Sequence, residues 1–525
     1  MSNLSNNIPM KRRTCHNMNT QLKTALLFQN HMVLQRRKPI CIWGTGPTGK
    51  QVKVTFRNIT VSTLIKNGNW IVWLPSMEAG IGDTMNIACE KSIITLKEIS
   101  VGEVWLAGGQ SNMEFLLKYD VGYTQALSDG ENSQIYFFDY PEVSYEGQLA
   151  KQDYSYAGFW RPCKGEHLKY YSAVAYYFAQ KLQKKYQIPI GIIGCNWGGT
   201  TASCWMSKEF LENTPGSVWL DEYENEIIAL NLTAYDKNFE HSPFSYVQDP
   251  CIHPNPINDQ LLTGLTKEEM RKAIQSDSFQ QPLPEIGPKS PWRPCGLYHS
   301  MLKQIAPYSI SGVIWYQGES DDIHAEVYDS VLSQMIKCWR ALWKEELPFL
   351  LCQLAPLGLW FPGSYHRYSE IRQKQELVAD TVPQTWLTTT GDAGLEWDIH
   401  PKNKRPIGER LALLAMGHIY QENILCDPPR CTATSIKDGN LYLFFDNVGN
   451  HFLLHGKNIN TLTLFCDGKK VDYIFRLTQN IIILENPRIC QAHTVEIQFG
   501  IGNYFEINLY NEAEIPVRPF KITIR

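Results

Sequence analysis

Between residues 101 and 420 the chain alternates short apolar runs with segments of helical periodicity, and this alternation restricts the fold more than any other feature. The strand-like runs are residues 103–107, 189–194, 309–315, 349–354 and 385–389. The segments with helical spacing of apolar residues are 170–186, 327–343, 371–379 and 407–420. Because strands that alternate with helices form parallel sheets covered by helices, the pattern predicts an α/β core with helices on both faces of the sheet.

The segments on either side of this core have a different pattern. Residues 1–20 are rich in Asn and Ser without periodicity, which predicts a disordered N-terminus. Short β-like runs separated by turn residues predict a β-sandwich module at 21–100 and a second β module at 421–525. The proline-rich stretch 205–300 interrupts the alternation and predicts an insertion, so that the core is formed by 101–204 and 301–420.

Charge and cysteine usage exclude several classes of function. The net charge of -4 gives no nucleic-acid signature. No run approaches the ~20 apolar residues of a membrane span, and the polar N-terminal residues show no signal-peptide core. The 14 cysteines form neither C-x-x-C pairs nor zinc-type spacings with histidine, so the sequence predicts free thiols and no metal centre.

Polar residues next to glycine follow four of the predicted strands. They lie at residues 109–113, 196–200, 317–321 and 391–400. In α/β sheets the carboxyl ends of parallel strands meet at one crevice, where ligands bind. The four segments are therefore expected to form one site.

Ser111 is the expected nucleophile of this site, since Gly108 and Gly109 allow a sharp turn that exposes it at a strand end. A serine hydroxyl needs a base, and imidazole titrates in the right range. His400 is the leading candidate, and Asp398, two positions earlier, is placed to orient it. His299 and His324 are the alternatives for the base.

An acyl-transfer site also needs hydrogen-bond donors for the oxyanion. The expected donors are the Ser111 N–H, the N–H of Gly198 or Gly199, and the side-chain amide of Gln317. Glu319 is expected to support the site. Trp197 and Trp315 adjoin the motif segments and are weaker candidates for stacking on a sugar ring.

Several motifs in this order resemble the sialate O-acetylesterase family, a branch of the SGNH (GDSL-like) hydrolases. The main matching segments are Val-Gly-Glu-Val-Trp at 101–105, Gly-Gln-Ser-Asn-Met at 109–113, Trp-Gly-Gly-Thr at 197–200, Trp-Tyr-Gln-Gly-Glu-Ser at 315–320 and Asp-Ile-His-Pro-Lys-Asn-Lys at 398–404. Shorter matches lie near both ends, at 32–35 and 508–511. Ser111 does not lie in the Gly-x-Ser-x-Gly elbow of α/β-hydrolases, because Met113 replaces the second glycine.

The resemblance implies a flavodoxin-like three-layer α/β/α core flanked by β-sandwich modules. It also implies a serine esterase that removes O-acetyl groups from sugars, typically the 9-O-acetyl group of sialic acids, without a cofactor. By this resemblance Ser111, His400 and Asp398 form the catalytic triad, and Ser111, Gly199 and Gln317 the oxyanion hole. Gln110, Asn112, Gly198 and Glu319 are expected to support them.

Two alternatives to the sialate esterase follow from the same residues. One is an acetylxylan or general carbohydrate acetylesterase, and the other is a catalytically silent glycan-binding protein. The expected partner is in every case an O-acetylated sugar or glycan, with no nucleic acid and no membrane span. Members of the family are mostly periplasmic, secreted or lysosomal, so the resemblance implies export although no signal peptide is visible.

Overall fold

A computed structural model describes most of the chain with side chains. It describes residues 21–129, 131–151, 158–245, 285–358 and 366–524, together with residues 262, 267–269 and 272. The predicted disordered segment 1–20 lies outside the described residues, as do most of residues 246–284.

The α/β core is built on seven strands with mostly parallel pairing, in the order β10-β9-β11-β8-β12-β13-β14. Strands β9, β11, β8, β12, β13 and β14 are parallel, and β10 is an antiparallel edge strand. The bounds are β8 Ser92–Gly109, β9 Asn132–Asp139, β10 Trp160–Cys163, β11 Ile190–Asn196, β12 Gly312–Tyr316, β13 Phe349–Cys352 and β14 Thr385–Thr388. The predicted α/β class is confirmed, and the three-layer flavodoxin-like arrangement remains a prediction.

The helices of the core follow the predicted periodicity with shifted ends. The α-helices are α1 Ser111–Glu114, α2 Tyr123–Ser128, α3 Ala173–Tyr186, α4 Lys208–Leu211, α5 Val218–Ala229, α6 Leu232–Glu240, α7 Lys303–Ile305, α8 Tyr328–Trp343, α9 Tyr368–Thr381 and α10 Arg405–Leu414. Helix α3 begins later than predicted because the Ser172 side chain accepts a hydrogen bond from the Ala175 N–H and caps it. Helix α10 ends earlier than predicted and continues as a π-helical turn, Ala415–Ile419.

Short 3-10 helices and one further π-helical turn connect these elements. The 3-10 helices are Leu117–Tyr119, Leu149–Lys151, Gly165–Tyr170, Ala202–Trp205, Pro215–Ser217, Pro243–Ser245, Glu319–Val327 and Pro487–Cys490, and the second π turn is Tyr298–Leu302. Helices α4, α5 and α6 lie within the predicted insertion 205–300. Among the described residues, none of the helices combines the length and the apolar character needed to cross a lipid bilayer.

Among the described residues, seven strands precede the core. Four of them belong to the sheet that continues through β8, and the other three form a separate sheet. They are β1 Lys23–Thr24, β2 Val33–Gln35, β3 Ile40–Thr45, β4 Gln51–Phe56, β5 Ile59–Leu64, β6 Asn69–Leu74 and β7 Gly80–Cys89. The first half of β8 pairs with β7 and β2, and its second half pairs with β11 and β12. The predicted boundary at residue 100 therefore falls inside one continuous strand, and the N-terminal strands share their hydrophobic core with the α/β part.

Ten strands follow the core and enclose a second hydrophobic core. They are β15 Arg430–Lys437, β16 Asn440–Asp446, β17 Leu453–Leu454, β18 Leu462–Cys466, β19 Lys469–Val471, β20 Ile474–Thr478, β21 Ile481–Glu485, β22 Val495–Phe499, β23 Leu509–Tyr510 and β24 Phe520–Ile524. Two four-stranded antiparallel sheets, β15-β16-β21-β20 and β19-β18-β22-β24, alternate buried and more exposed residues. Alternate inward residues such as Leu441, Leu443, Ile482 and Ile497 are fully buried between them.

Gly109, the last residue of β8, is expected to be essential for folding. It has φ +144, and a Cβ at this position would lie 2.1 Å from the Tyr316 carbonyl oxygen of β12. Because both the backbone conformation and the neighbouring strand exclude a side chain, Gly109→Ala should destabilise the protein by more than about 4 kcal/mol. Urea unfolding followed by tryptophan fluorescence measures this loss.

The matched control for Gly109→Ala is Gly49→Ala. Gly49 also has a positive φ, +84, but no atom lies within 4 Å of a Cβ at this position. This variant isolates the conformational cost, about 1–2 kcal/mol. Equal unfolding midpoints for the two variants would contradict the close packing of Gly109 against β12.

Candidate active site

Ser111 follows the central strand of the sheet and lies where three strands end, and the space beside these strand ends is called the crevice below. Gly109 at the end of β8 lies opposite Asn196 of β11 on one side and Tyr316 of β12 on the other. Helix α1 begins two residues later at Ser111. The loop after β14 supplies His400, which completes the set of four predicted segments at this edge of the sheet.

Ser111 and His400 are in direct contact. The distance from His400 Nε2 to Ser111 Oγ is 3.0 Å, within hydrogen-bond range. The imidazole is largely buried and lies beside the Phe115 ring, with 6.4 Å between ring centroids. Burial, with the positive charges of Lys404 and Lys402, lowers the pKa of His400 well below its usual range. The imidazole is therefore held neutral, the form that accepts a proton.

Asp398 lies on the other side of the imidazole and is nearly inaccessible to solvent. Its Oδ1 accepts a hydrogen bond from the His400 backbone N–H at 2.8 Å and lies 3.8 Å from His400 Nδ1. Its Oδ2 is 2.8 Å from Lys402 Nζ. The carboxylate thus fixes the turn that carries His400 and lies within ion-pair distance of Nδ1.

Asn112 connects the serine segment to the histidine loop. Its Nδ2 donates to the Ile399 carbonyl at 3.0 Å and to Glu319 Oε1 at 2.5 Å. Its Oδ1 accepts a hydrogen bond from the fully buried Lys404 ammonium. Burial lowers the pKa of Lys404 to about 7 and raises the pKa of Glu319. Asn112 therefore links Glu319, Lys404 and the histidine loop, and the supporting roles of Asn112 and Glu319 stay predictions. Lys404 is an addition that the sequence did not indicate.

Gln110 supports the neighbouring loop. Its side-chain Oε1 accepts hydrogen bonds from the backbone N–H groups of Gly318 and Ser320, at 3.2 and 3.3 Å. Its Nε2 donates to Ser320 Oγ at 3.3 Å. These bonds attach the loop after β12 to the segment that carries Ser111.

Gly198 adjoins Ser111, but its N–H is already engaged. A Cβ at this glycine would lie 3.5 Å from Ser111 Cβ, and the Gly198 N–H donates to the Glu114 carboxylate. Gly199, the other candidate, is exposed and has φ +73. The sequence favoured the Gly199 N–H as the oxyanion donor. The bond to Glu114 is made by the Gly198 N–H instead, which leaves Gly199 as the candidate.

Glu114 is a carboxylate of the site that sequence reasoning missed. It lies one helical turn after Ser111, so both side chains project from the same face of α1. Burial raises the pKa of Glu114 to about 7. Burial, with the charges of Glu114 and Asp139, also raises the pKa of the nearby Glu142 well above its usual range. This side of the crevice is thus acidic.

The structure corrects the role predicted for Gln317. Its side chain is fully buried, and its Nε2 donates to the Thr200 carbonyl at 3.1 Å and to Asp321 Oδ2 at 2.5 Å. An amide nitrogen has two hydrogens, and both are used here. Gln317 therefore braces the loops after β11 and β12 in this structure and does not point a donor at the oxyanion.

The structure also corrects the prediction that Trp197 and Trp315 stack on a sugar ring. Trp315 is buried inside the core, with its ring edge-on to Trp339 at 5.5 Å between centroids. Trp197 is 4% exposed and packs beside Phe244. The half-buried Trp292 lies at the crevice instead, where its Nε1 donates to the Gly198 carbonyl at 3.2 Å. No sequence motif distinguished Trp292 from the other tryptophans of the chain.

The two alternative histidines have other partners. His324 Nε2 lies 2.8 Å from Glu222 Oε1, and its ring meets Trp219 edge-on. The His299 ring meets Tyr298 edge-on at 5.0 Å between centroids. Of these three described histidines, His400 is the one that lies within hydrogen-bond range of Ser111 Oγ.

Known proteins similar to this chain are carbohydrate esterases. Residues 287–416 match the family described as carbohydrate esterase, sialic acid-specific acetylesterase. The sialate O-acetylesterase of Mus musculus is 24% identical over 445 residues, covering 76% of this chain and 74% of the relative. The enzyme of Homo sapiens is 25% identical over 442 residues, covering 76% and 72%.

A solved structure extends this similarity to nearly the whole chain. The carbohydrate acetylesterase from Xanthomonas citri superposes with a TM-score of 0.72 at 25% identity, covering 95% of this chain and 99% of its own. These findings confirm the resemblance that the motifs indicated. They identify the chain as a carboxylic ester hydrolase and support esterase activity on acetylated sugars.

Proposed function

We propose that this chain is a serine esterase that removes O-acetyl groups from sugars through an acetyl-enzyme intermediate. The observation that carries the proposal is the 3.0 Å contact between His400 Nε2 and Ser111 Oγ at the end of β8. A neutral imidazole at this distance takes the hydroxyl proton and makes the serine nucleophilic. Ser111 is the nucleophile, His400 the base and Asp398 the residue that orients the imidazole.

The reaction proceeds in two acyl transfers. Ser111 Oγ attacks the acetyl carbonyl carbon while its proton moves to His400 Nε2. The tetrahedral intermediate then collapses, the bond to the sugar oxygen breaks, and His400 returns the proton to that oxygen. Water, deprotonated by His400, attacks the acetyl-enzyme, and acetate leaves as the Ser111 hydroxyl forms again.

The oxyanion needs donors aimed at the carbonyl oxygen. We assign this role to the backbone N–H groups of Ser111 and Gly199. Two observations support the assignment: the Ser111 N–H lies at the first position of α1, where no side-chain cap engages it, and the Gly198 N–H is bonded to Glu114. Trp292 borders this position through its bond to the Gly198 carbonyl.

The proposed substrate is a 9-O-acetylated sialic acid. The similarity to enzymes named sialate O-acetylesterase over three quarters of the chain supports this choice. The match to a family described as specific for sialic acid supports it as well.

A second candidate is an acetylesterase that acts on neutral sugars such as acetylated xylan. The specific observation in its favour is the acidic side of the crevice, where Glu114 and Glu142 lie close together. Carboxyl groups form hydrogen bonds with sugar hydroxyls, and they repel a ligand carboxylate when they are ionised. Because the pKa of Glu114 is about 7, its negative charge is present above neutral pH. A neutral acetylated sugar avoids this repulsion.

Acetate release from two substrates measured side by side decides between the candidates. O-acetylated sialic acid and acetylated xylo-oligosaccharide are compared by kcat/KM. A higher value for the sialate supports the first proposal, and reaction with the xylan substrate alone overturns it. Glu114→Gln serves as the diagnostic variant at a pH above the Glu114 pKa of about 7. Loss of the charge present there should raise kcat/KM for the anionic substrate relative to the neutral one.

The pH dependence of kcat/KM is expected to follow the depressed pKa of His400. The imidazole must be neutral to act as base, so protonation removes activity on the acid side. Because burial and the two lysines lower this pKa, activity should persist below pH of about 6.5, where an ordinary histidine is half protonated. A profile of 4-nitrophenyl acetate hydrolysis between acidic and neutral pH measures the midpoint.

Lys402→Met tests the electrostatic part of this expectation. Removing a positive charge beside the imidazole should raise the pKa of His400 and move the acid limb to higher pH. The control is Lys208→Met, since Lys208 is exposed and pairs with Glu224 on the surface. An acid limb that stays in place in Lys402→Met would contradict the assignment of the limb to His400.

A further inference from the structure

A second group of chemically reactive side chains lies at the end of the core, away from Ser111. It consists of His418, Cys426 and Asp427, whose donor atoms lie within 4.8 Å of one another. His418 belongs to the π-helical turn that continues α10, and the other two residues precede β15. Helix α10 begins five residues after His400 and carries the chain about 20 Å along its axis before His418. The group is therefore separate from the esterase site.

The carboxylate of Asp427 and the thiol of Cys426 both face the same ring nitrogen of His418. His418 Nε2 lies 2.9 and 3.0 Å from the two Asp427 oxygens and 3.6 Å from Cys426 Sγ. In a Cys-His-Asp nucleophile the acid and the thiol occupy opposite ring nitrogens, so that the acid can orient the base. Here both face Nε2, and the arrangement does not suit nucleophilic catalysis.

The spacing of the donors matches the edges of a tetrahedron around zinc. Zinc bonds of about 2.0–2.1 Å to nitrogen or oxygen and 2.3 Å to sulfur give donor separations of about 3.3–3.5 Å. Cys426 Sγ lies 3.6 Å from His418 Nε2 and 3.7 Å from Asp427 Oδ2. The carboxylate-to-imidazole distance is somewhat shorter because these two groups are hydrogen bonded. A small separation of the pair admits an ion at the common centre.

The surroundings hold the three residues in place. The His418 ring stacks on Trp386 with 4.5 Å between centroids and 15° between planes. A Cβ at residue 417 would lie 2.3 Å from Cys426 Sγ, so Gly417 is what lets the thiol lie against the helix. The Asp427 backbone carbonyl accepts a hydrogen bond from Asn511 Nδ2 at 3.1 Å. Positions held in this way lower the cost of organising ligands around an ion.

We propose that His418, Cys426 and Asp427 bind a zinc ion that clips the end of α10 to the segment leading into the C-terminal strands. Sulfur, imidazole nitrogen and carboxylate oxygen are the three ligand types that zinc takes in proteins, and water completes the fourth position. The Cys426 thiol releases its proton to solvent when the metal binds, and no electron transfer occurs. Seven residues separate His418 from Cys426, which is not a zinc-finger spacing, so the sequence pattern predicts no metal centre here.

Cobalt substitution tests the site directly. The full-length protein is stripped with chelator, dialysed and titrated with Co²⁺, and the near-ultraviolet thiolate-to-cobalt band is recorded. One Co²⁺ per chain with this band is expected for the wild type, and the band should disappear in Cys426→Ser and weaken in His418→Gln. Cys490→Ser, which removes an exposed thiol elsewhere, should keep it.

Thermal unfolding gives a readout that does not depend on the thiol spectrum. Zinc at a hundredfold excess over its Kd should raise the Tm of the stripped wild type by about 2 °C. Zinc should not change the Tm of Cys426→Ser. Without zinc, this variant should have the same Tm as the stripped wild type, and that equality would show that it folds. Absence of both the band and the Tm shift in the wild type, or persistence of the band in Cys426→Ser, overturns the proposal and leaves an ordinary His-Asp hydrogen bond.

Discussion

Replacing Ser111 by alanine is expected to lower kcat for 4-nitrophenyl acetate by about 10⁴-fold or more. The variant keeps His400, the backbone donors and the crevice, but it removes the atom that we propose forms the acetyl-enzyme. Because the Ser111 side chain is small and its Oγ contacts His400 Nε2, the substitution should leave the Tm within about 1 °C of the wild type. Initial rates and thermal unfolding, measured on the same preparations, separate the loss of chemistry from a loss of fold.

Two controls accompany this variant. Ser309→Ala deletes a hydroxyl that bonds to the Pro39 carbonyl at an exposed position, and it should hydrolyse the ester at the wild-type rate. A fluorophosphonate should add once to the wild type and to Ser309→Ala, but not to Ser111→Ala, as seen by intact-protein mass spectrometry. Ester hydrolysis by Ser111→Ala at a rate near the wild type would refute the nucleophile assignment.

The grouping of the site residues follows from the strand-helix alternation. Parallel strands end at one edge, so polar residues after β8, β11 and β12 have to meet there whatever the loops do. The registers that place Gly109 beside Asn196 and Tyr316 are the direct expression of this rule. The spacing of Asp398 and His400 alone did not assign this segment to the site. The resemblance to a known family was needed as well.

The direction in which a site side chain points could not be predicted from the sequence. Gln317 and Trp315 were both placed at the correct strand end, yet neither faces the crevice. Successive residues of a strand point to opposite faces, and the residues just beyond it turn with the loop. Whether such a residue meets substrate or core depends on what packs against it, in this case Trp339 for Trp315 and Asp321 for Gln317.

The sequence did not predict Glu114 and Lys404 as site residues, for a different reason. Their functional signal is burial, since the shifted pKa values of both groups come mainly from desolvation. A charged residue in a polar motif is ordinarily read as exposed. A helical turn that begins at Ser111 does predict that residue 114 shares its face, and this three-residue spacing is the one clue to Glu114 that the sequence held.

Asp398→Asn is expected to lower kcat by about 10²- to 10⁴-fold with little change in KM. The carboxylate accepts a hydrogen bond from the His400 backbone N–H and lies 3.8 Å from Nδ1. In the proposed mechanism it stabilises the imidazolium formed during attack. An asparagine keeps the size and one acceptor but loses the charge and the preferred tautomer. Because the effect acts through His400, it should appear in kcat and in the acid limb of the pH profile together.

Lys402→Ala is the matched control for the Asp398 variant, because Lys402 is the other partner of the same carboxylate. It removes the competing cation and leaves the charge of Asp398, so that the carboxylate is free to approach Nδ1 more closely. Activity at neutral pH should therefore stay within about tenfold of the wild type. Full kcat in Asp398→Asn would contradict the role of Asp398 in orienting the imidazole. The 3.8 Å separation would then persist during catalysis, and Asp398 would only shape the loop. If both variants lost activity equally, the Asp398–Lys402 pair would act as a unit that holds the loop, and the charge facing the imidazole would not be the cause.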